Sequence, residues 1–311
     1  LRIGKITVGS LKEWVLSPGS VTSWHPTPVA AEKARHAPAS SVPVSYMQGQ
    51  HLRNYCDRTA AGLNFSRQII ASCDASGECD IAAMDVALNA YLRRHDTFRS
   101  WFEHTSDDQF VRHTITDPAD IEFEPINHGN MTEDEVRAHV VGIPNPLEWG
   151  CFTFGIVQRE GHFTFFVAMD HVHGDATLIG TTMMEANGMY AALSGGGKPL
   201  ELPDAGSYDD FCVREREFTS TLTVDSPGVN AWIDYAENNN GSFPEFPLPL
   251  GNPSESTSSE MASDLLMDPE QTERFESACK TAGARFVGGL FACLALVEHE
   301  FTGAPTYYGL T

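Results

Sequence analysis

The stretch Asp170-His171-Val172-His173-Gly174-Asp175 gathers the titratable side chains best spaced for chemistry. It follows an apolar run, residues 163–169 (FTFFVAM), that reads as a buried strand. It precedes a helical pattern carried by Leu178, Ile179, Thr182, Met183 and Leu193. Ionisable groups at such a junction are costly unless they are paired or at work. Three uses fit the spacing. Asp175 can cap a helix starting at Ala176, leaving two polar loop histidines. His171, His173 and Asp175 alternate, so on an extended backbone they share a face and could hold one zinc ion for hydrolysis. His299, the one histidine of the C-terminal third, adds too little for a second metal. In the third use His171 is a general base and Asp175, four residues on, orders the turn. A neutral imidazole, with a pKa of about 6.5 in model peptides, can take a proton from a hydroxyl at neutral pH.

The elements around this stretch must bring it to a cavity. Residues 151–159 and 162–169 read as a hairpin turned at Glu160-Gly161, with the histidines at its far end. Helices are expected over 45–61, 79–95 (capped by Asp80), 132–141, 208–218, 229–236, 269–282 and 286–301. Strands are expected over 2–8, 64–73, 98–102 paired with 109–115, 121–125, 261–267 and 306–311, the last cut short by the end of the chain. Residues 9–43 show no period and read as a long loop pinned by Trp14 and Trp24; residues 241–260 read as a Pro/Ser/Gly-rich linker.

Bulk properties narrow the function. The 311 residues, 41% hydrophobic and 20% charged, exceed one usual core and predict two subdomains. A net charge of −22 argues against nucleic acid and against docking on an anionic membrane by charge alone. Basic residues between Lys33 and Arg99 could meet a phosphate-bearing ligand, but solvated helix faces account for most of them. Seven cysteines without CxxC spacing suit a reducing compartment. No apolar run reaches the ~18 residues of a membrane span, and no signal peptide is visible.

Residues 169–176 (MDHVHGDA) resemble the HHxxxDG motif of the condensation-domain superfamily, which includes the chloramphenicol-acetyltransferase-like, CoA-dependent acyltransferases. The second motif His falls on His171 and the motif Asp on Asp175; Asp170 stands at the first His and Ala176 at the Gly. Residues 94–102 (RHDTFRSWF) resemble RHExLRTxF, Ser45-Tyr46-Met47-Gln48 resembles SxAQ, and Ser207-Tyr208-Asp209-Asp210-Phe211 resembles YxDFA, all in family order. Phrases such as ITDPADIEF, FPEFPLPLG and ARFVGGLFAC are similar to mycobacterial polyketide-associated acyltransferases that acylate trehalose. The HxHxD spacing also resembles the metallo-β-lactamase HxHxDH motif, with Ala176 in place of the last His.

The acyltransferase resemblance implies an α/β chain of α+β two-layer sandwiches, two chloramphenicol-acetyltransferase-like halves in a V, the second incomplete. Residues 1–204 would form the subdomain carrying HxxxD and 205–311 a partial C-terminal subdomain. It implies acyl transfer from acyl-CoA or an acyl carrier protein of a polyketide synthase to a trehalose-type hydroxyl, in cell-envelope lipid synthesis. His171 would be the base and Asp175 its organiser. Arg94 and Arg99 would lock to Asp96 or Asp175, and Tyr208 and Asp210 would anchor the crossover between halves. His173, Ser45 and Gln48 would form the acceptor pocket, and backbone N–H groups at the helix start would hold the oxyanion. No Ser or Cys sits in a GxSxG-like elbow, so direct transfer without an acyl-enzyme is expected, with no cofactor or metal. The expected place is the cytoplasm, with peripheral association at the inner face of the plasma membrane. The competing readings are a non-catalytic docking partner of a polyketide synthase and the zinc hydrolase of His171, His173 and Asp175.

Overall fold

The apolar run 163–169 is the interior of a strand, His162–Asp170, buried at every residue after His162. In the computed structural model, residues 2–3, 6–7, 9, 14–63, 67–107, 109–142, 145–238, 241, 248–249, 251–252 and 264–307 are described. They form two units: Val15–Thr221, and Leu1–Trp14 with Leu222–Thr311.

In chain order, β1 (Arg2–Ile3) and β2 (Ile6–Thr7) pair antiparallel in the smaller unit. The larger unit contains β3 (Gly19–Pro26), α1 (Pro28–Arg35), α2 (Tyr46–Ala60), β4 (Gln68–Ser76), α3 (Ile81–Arg94), β5 (Ser100–His104), β6 (Phe110–Thr114), β7 (Phe123–Met131), α4 (Glu133–Val141), β8 (Phe152–Arg159), β9 (His162–Asp170), α5 (Ala176–Ser194) and α6 (Tyr208–Ser220). The smaller unit continues with α7 (Pro227–Asn238), α8 (Pro269–Thr281) and α9 (Phe286–Thr302). No single helix among the described residues is long and apolar enough to cross a membrane.

The principal sheet is antiparallel throughout, in the order β4-β9-β8-β3-β7, with β5 and β6 as a separate ribbon. Alternate residues of β9 (Phe163, Phe165, Val167 and Met169) join Phe152 and Phe154 of β8, Trp24 of β3, and Leu88, Tyr91 and Leu92 of α3 in one core, which α5 completes through Ile179, Ala186 and Met189. The opposite face also packs closely. A Cβ on Gly155 would lie 2.3 Å from the Phe166 ring and 2.9 Å from the Thr22 carbonyl oxygen, so only glycine fits between these strands.

The hairpin β8–β9, the helix capped by Asp80 and the β5–β6 pairing match the sequence expectations. Of the long loop expected at 9–43, residues 10–13 lie outside the described residues and the rest is not one loop. It supplies β3, an interior strand bonded on both sides, and α1, begun by the Thr27 cap. The sequence GSVTSWHP has Val21 and Trp24 as its only large apolar side chains, so backbone pairing, not an apolar run, defines this strand. Trp24 is fully buried because its indole N–H reaches Asp85 Oδ1 at 2.9 Å. β7 runs past the expected 121–125 to Met131 through a bulge. Residues 264–267 and 306–307 carry no strand; the rest of the strands expected at 261–267 and 306–311, and most of the 241–260 linker, lie outside the described residues.

The larger unit extends past the expected boundary at residue 204 because α6 is bolted to it. Asp96 accepts from Ser207 Oγ (2.7 Å) and from the N–H groups of Tyr208 (3.1 Å) and Asp209 (3.2 Å). Arg112 of β6, 2% exposed, donates to Asp209 Oδ1 and Gln48 Oε1, both at 2.9 Å, and to the Pro43 carbonyl at 3.3 Å. One guanidinium therefore ties α2, α6 and the ribbon together.

Two outcomes follow from these contacts. Asp175 caps α5, its Oδ1 accepting from the N–H groups of Thr177 and Leu178 at 2.9 Å. Asp175→Ala should therefore lower stability by about 1 kcal/mol and Asp175→Asn by only a few tenths, read from denaturant midpoints. Arg112→Met removes one partner of a buried pair and strands the Gln48 and Asp209 acceptors. It should cost about 3 kcal/mol on the same measurement, and a loss under ~1 kcal/mol would contradict the bolt.

Candidate active site

The turn after β9 is held residue by residue, and each tie comes from a different part of the chain. Asp170 is buried; its Oδ1 accepts from the Val172 N–H at 2.9 Å and sits 2.7 Å from His51 Nε2 of α2. The His171 N–H donates to the Arg67 carbonyl at 2.9 Å. The Val172 side chain is buried with Val44, Leu52, Phe102 and Cys151, and its carbonyl accepts from Gln48 Nε2 at 3.0 Å. Thr97 holds His173 twice: its hydroxyl donates to the His173 carbonyl and its own carbonyl lies 2.9 Å from His173 Nδ1. Gly174 is squeezed between Met169 and Leu178, where a Cβ would come within 2.9 Å of both side chains.

These constraints give the two histidines opposite environments. His171 is exposed, its imidazole makes no hydrogen bond among the described residues, and its ring centre lies 6.3 Å from that of His51. His173 is 4% exposed, stacked against Phe98 and edge-on to Phe152. Burial pushes its pKa down to about 4, against a smaller upward pull from Asp170. With Nδ1 carrying the proton toward the Thr97 carbonyl, Nε2 holds a lone pair, and Nε2 is buried with no hydrogen-bond partner. Both histidines line one cavity of about 740 Å³, together with Gln48, His51, Asn54, Arg67, Asp175, Tyr208 and Phe211.

The structure sorts the remaining expected residues. Asp175 caps α5 and also lines the cavity. Its side chain and carbonyl take the N–H groups of Thr177, Leu178 and Ile179, so those three are not open to an oxyanion. Ser45 is fully buried and does not line the cavity: it forms a capping box with Gln48 and bonds the Tyr208 hydroxyl at 3.0 Å. Gln48 reaches the cavity with its amide already engaged by Val172 and Arg112. Arg94 does not bond Asp96 or Asp175; it pairs with Glu185 of α5 at 3.1 Å and donates to the Pro203 carbonyl. Arg99 donates to the Arg93 carbonyl at 3.3 Å. The Tyr208 hydroxyl bonds Ser45 within the larger unit; the Asp210 carboxylate is exposed without a hydrogen bond among the described residues, and the neighbouring Asp209 meets Arg112 instead. Burial pushes the Asp209 carboxyl up, and the Arg112 guanidinium offsets part of that rise.

His51, Asp96, Thr97, Asp209 and Arg112 were not assigned these roles from sequence. Asp96, Thr97 and Asp209 lay inside quoted motifs; His51 and Arg112 carried no local signal, because their partners are distant in the chain. The zinc reading fails on geometry. His171 is exposed, His173 is turned into the core and Asp175 faces its own helix, so the three do not converge. Among the described residues, the His, Cys, Asp and Glu ligand atoms close enough for one metal belong to His25, His128 and His139. Cavity-lining Ser207 donates its hydroxyl to Asp96 and accepts from the Asp210 N–H as the cap of α6.

Known proteins share this architecture. The Condensation domain family matches residues 42–307. "Acyltransferase PapA3" of Mycobacterium tuberculosis is 57% identical over all 311 residues, which span 66% of its length. "Trehalose-2-sulfate acyltransferase PapA2" of the same species is 50% identical over 97% of this chain and 64% of its own. The chain thus spans less than two thirds of these relatives. The solved structure "PapA2 acyl transferase" superposes with a TM-score of 0.91 at 50% identity, covering 97% of this chain and 66% of that one. At 19% identity, the X-domain from teicoplanin biosynthesis shares the fold with a TM-score of 0.62, over 84% of this chain and 57% of its own. The family match over most of the chain, with relatives 50–57% identical, shows that the chain belongs to the condensation-domain family.

Proposed function

We propose that this cavity transfers an acyl group from a thioester to a hydroxyl of a trehalose-type acceptor, with His171 as general base. The carrying observation is the exposed imidazole of His171, without a hydrogen bond among the described residues, on a turn tied down by Gln48, Thr97 and Asp170. His171 takes the proton of the acceptor hydroxyl as its oxygen attacks the thioester carbonyl. The tetrahedral intermediate collapses by breaking the C–S bond, and the thiolate leaves with the proton returned from His171. No covalent acyl-enzyme is involved. The donor is acyl-CoA or an acyl carrier protein of a polyketide synthase, and the place of action is the cytoplasmic side of the membrane. Relatives named as trehalose-2-sulfate and sulfo-trehalose acyltransferases support the acceptor class. His173 lines the same cavity, and its Nε2 is buried with no hydrogen-bond partner.

With the full-length protein, an acyl-CoA and trehalose, His171→Ala should lower the rate of ester formation by roughly 10²–10⁴-fold while the melting curve stays unchanged. Undiminished transfer by a folded variant would remove His171 from the mechanism.

His173 sets a pH dependence of stability. Its folded pKa is depressed to about 4 from 6.5, so between these values the unfolded chain binds more protons. Its contribution is fully present above pH 6.5 and is lost as pH falls toward 4, by about 3 kcal/mol in total. His173→Gln should flatten that part of the acid-stability profile, measured by denaturant titration at a series of pH values. An unchanged slope would mean that His173 is not neutral in the folded protein.

A further inference from the structure

A second group of histidines lies outside the cavity of His171. Ser23 and His25 project from one face of β3, two residues apart. β7 pairs with β3 through a bulge between Val21 and Thr22, which leaves His128 without a partner residue. Gly129 makes the bulge possible at φ 77°, and Asn127 Oδ1 braces it by accepting from the Gly129 N–H at 2.8 Å. α4 brings the third ring. Its capping box, Thr132 with Glu135, fixes the helix start, and Val136 and Val140 are buried, so His139 shares their inward side.

The three rings converge on one atom. Ser23 Oγ lies 2.7 Å from His25 Nε2, 2.8 Å from His128 Nε2 and 2.9 Å from His139 Nε2. The three nitrogens are all within 4.8 Å of one another. A hydroxyl has one proton and two lone pairs, so it can serve three imidazoles only if two of them carry hydrogen on Nε2. A divalent cation instead takes the Nε2 lone pair of all three.

We propose that His25, His128 and His139 bind one zinc ion through Nε2, with the Ser23 hydroxyl as the fourth, oxygen donor. Three imidazoles and a hydroxyl give a borderline-soft set that suits Zn²⁺, and the absence of a carboxylate from it disfavours Ca²⁺ and Mg²⁺. Zn–N distances of about 2.0–2.1 Å require the rings to draw in around the ion and the Ser23 hydroxyl, which lies 2.7–2.9 Å from each Nε2, to swing back from their centre to the fourth position. The site joins β3, the edge strand β7 and α4. It is a structural clip, independent of the His171 chemistry, since none of its residues lines that cavity.

The test uses the full chain stripped with a chelator, dialysed and titrated with zinc alone. Wild type should take up one equivalent that survives gel filtration, and its melting temperature should rise by roughly 5–10 °C when free zinc is about a hundredfold above Kd. His25→Ala with His139→Ala should lose both effects, whereas His162→Ala, at an exposed position, should keep them. Cobalt gives a reading that does not depend on stability: wild type should show the intense visible bands of a tetrahedral site, and His128→Asn should lose them while keeping its fold by circular dichroism. Zinc uptake that is absent in wild type, or equal in wild type and the double variant, would overturn the site.

Discussion

Arg112 is the buried charge around which the candidate site is built. Its guanidinium is almost wholly out of water, so its donors must be met inside the protein or the fold loses several kcal/mol. Its two terminal nitrogens are met only when Asp209 from α6, Gln48 from α2 and the Pro43 carbonyl arrive together, and Nε is left buried without a partner. Gln48, fixed in this way, passes the constraint on: its other end holds the Val172 carbonyl between the two histidines. The position of the turn is thus tied to whether α2 and α6 have docked. The cation also lies over the Phe102 ring, 5.4 Å from its centre, so the ribbon strand β5 is fastened to the same point.

That constraint explains how histidines two residues apart differ so much. Val172 is drawn into an apolar cluster and Thr97 grips His173 at both backbone and ring, which turns His173 inward. On the tight turn closed by the His173 N–H on the Asp170 carbonyl, His171 is left facing out. The result is one exposed ring on the cavity wall and one buried ring whose pKa burial lowers.

How much of this could be read from the sequence depended on distance along the chain. The hairpin, the Asp80 cap and the Asp175 cap are local patterns, and all three are present. His171 at the end of a buried strand was legible for the same reason. The roles of Arg112 and His51 were not, because Asp209 and Asp170 are 97 and 119 residues away from them. β3 was missed because its burial rests on ladder bonds to both neighbours and not on apolar content. Asp210 was preferred over Asp209 by motif alignment, yet only the Asp209 carboxylate meets the buried guanidinium. Alternation suggested a shared face for His171, His173 and Asp175, but the chain turns at Asp170, so strand periodicity no longer applies there.

The two departures from the HHxxxDG pattern can be judged by the same reasoning. Asp170, in place of the first motif His, puts a carboxylate where burial would raise a penalty. His51 Nε2 and the Val172 N–H both meet its Oδ1, so the carboxylate acts as a brace for the turn and as a link to α2. Ala176, in place of the motif glycine, is the first residue of α5, where the backbone is already helical and alanine is the most favourable residue. A glycine would be needed only for a left-handed backbone or a close approach, and that demand falls instead on Gly174, wedged between Met169 and Leu178. Neither substitution removes a contact that orients His171. With Asp170 and Ala176 in these places, the His171 backbone is tied to the Arg67 carbonyl and its exposed side chain lines the cavity.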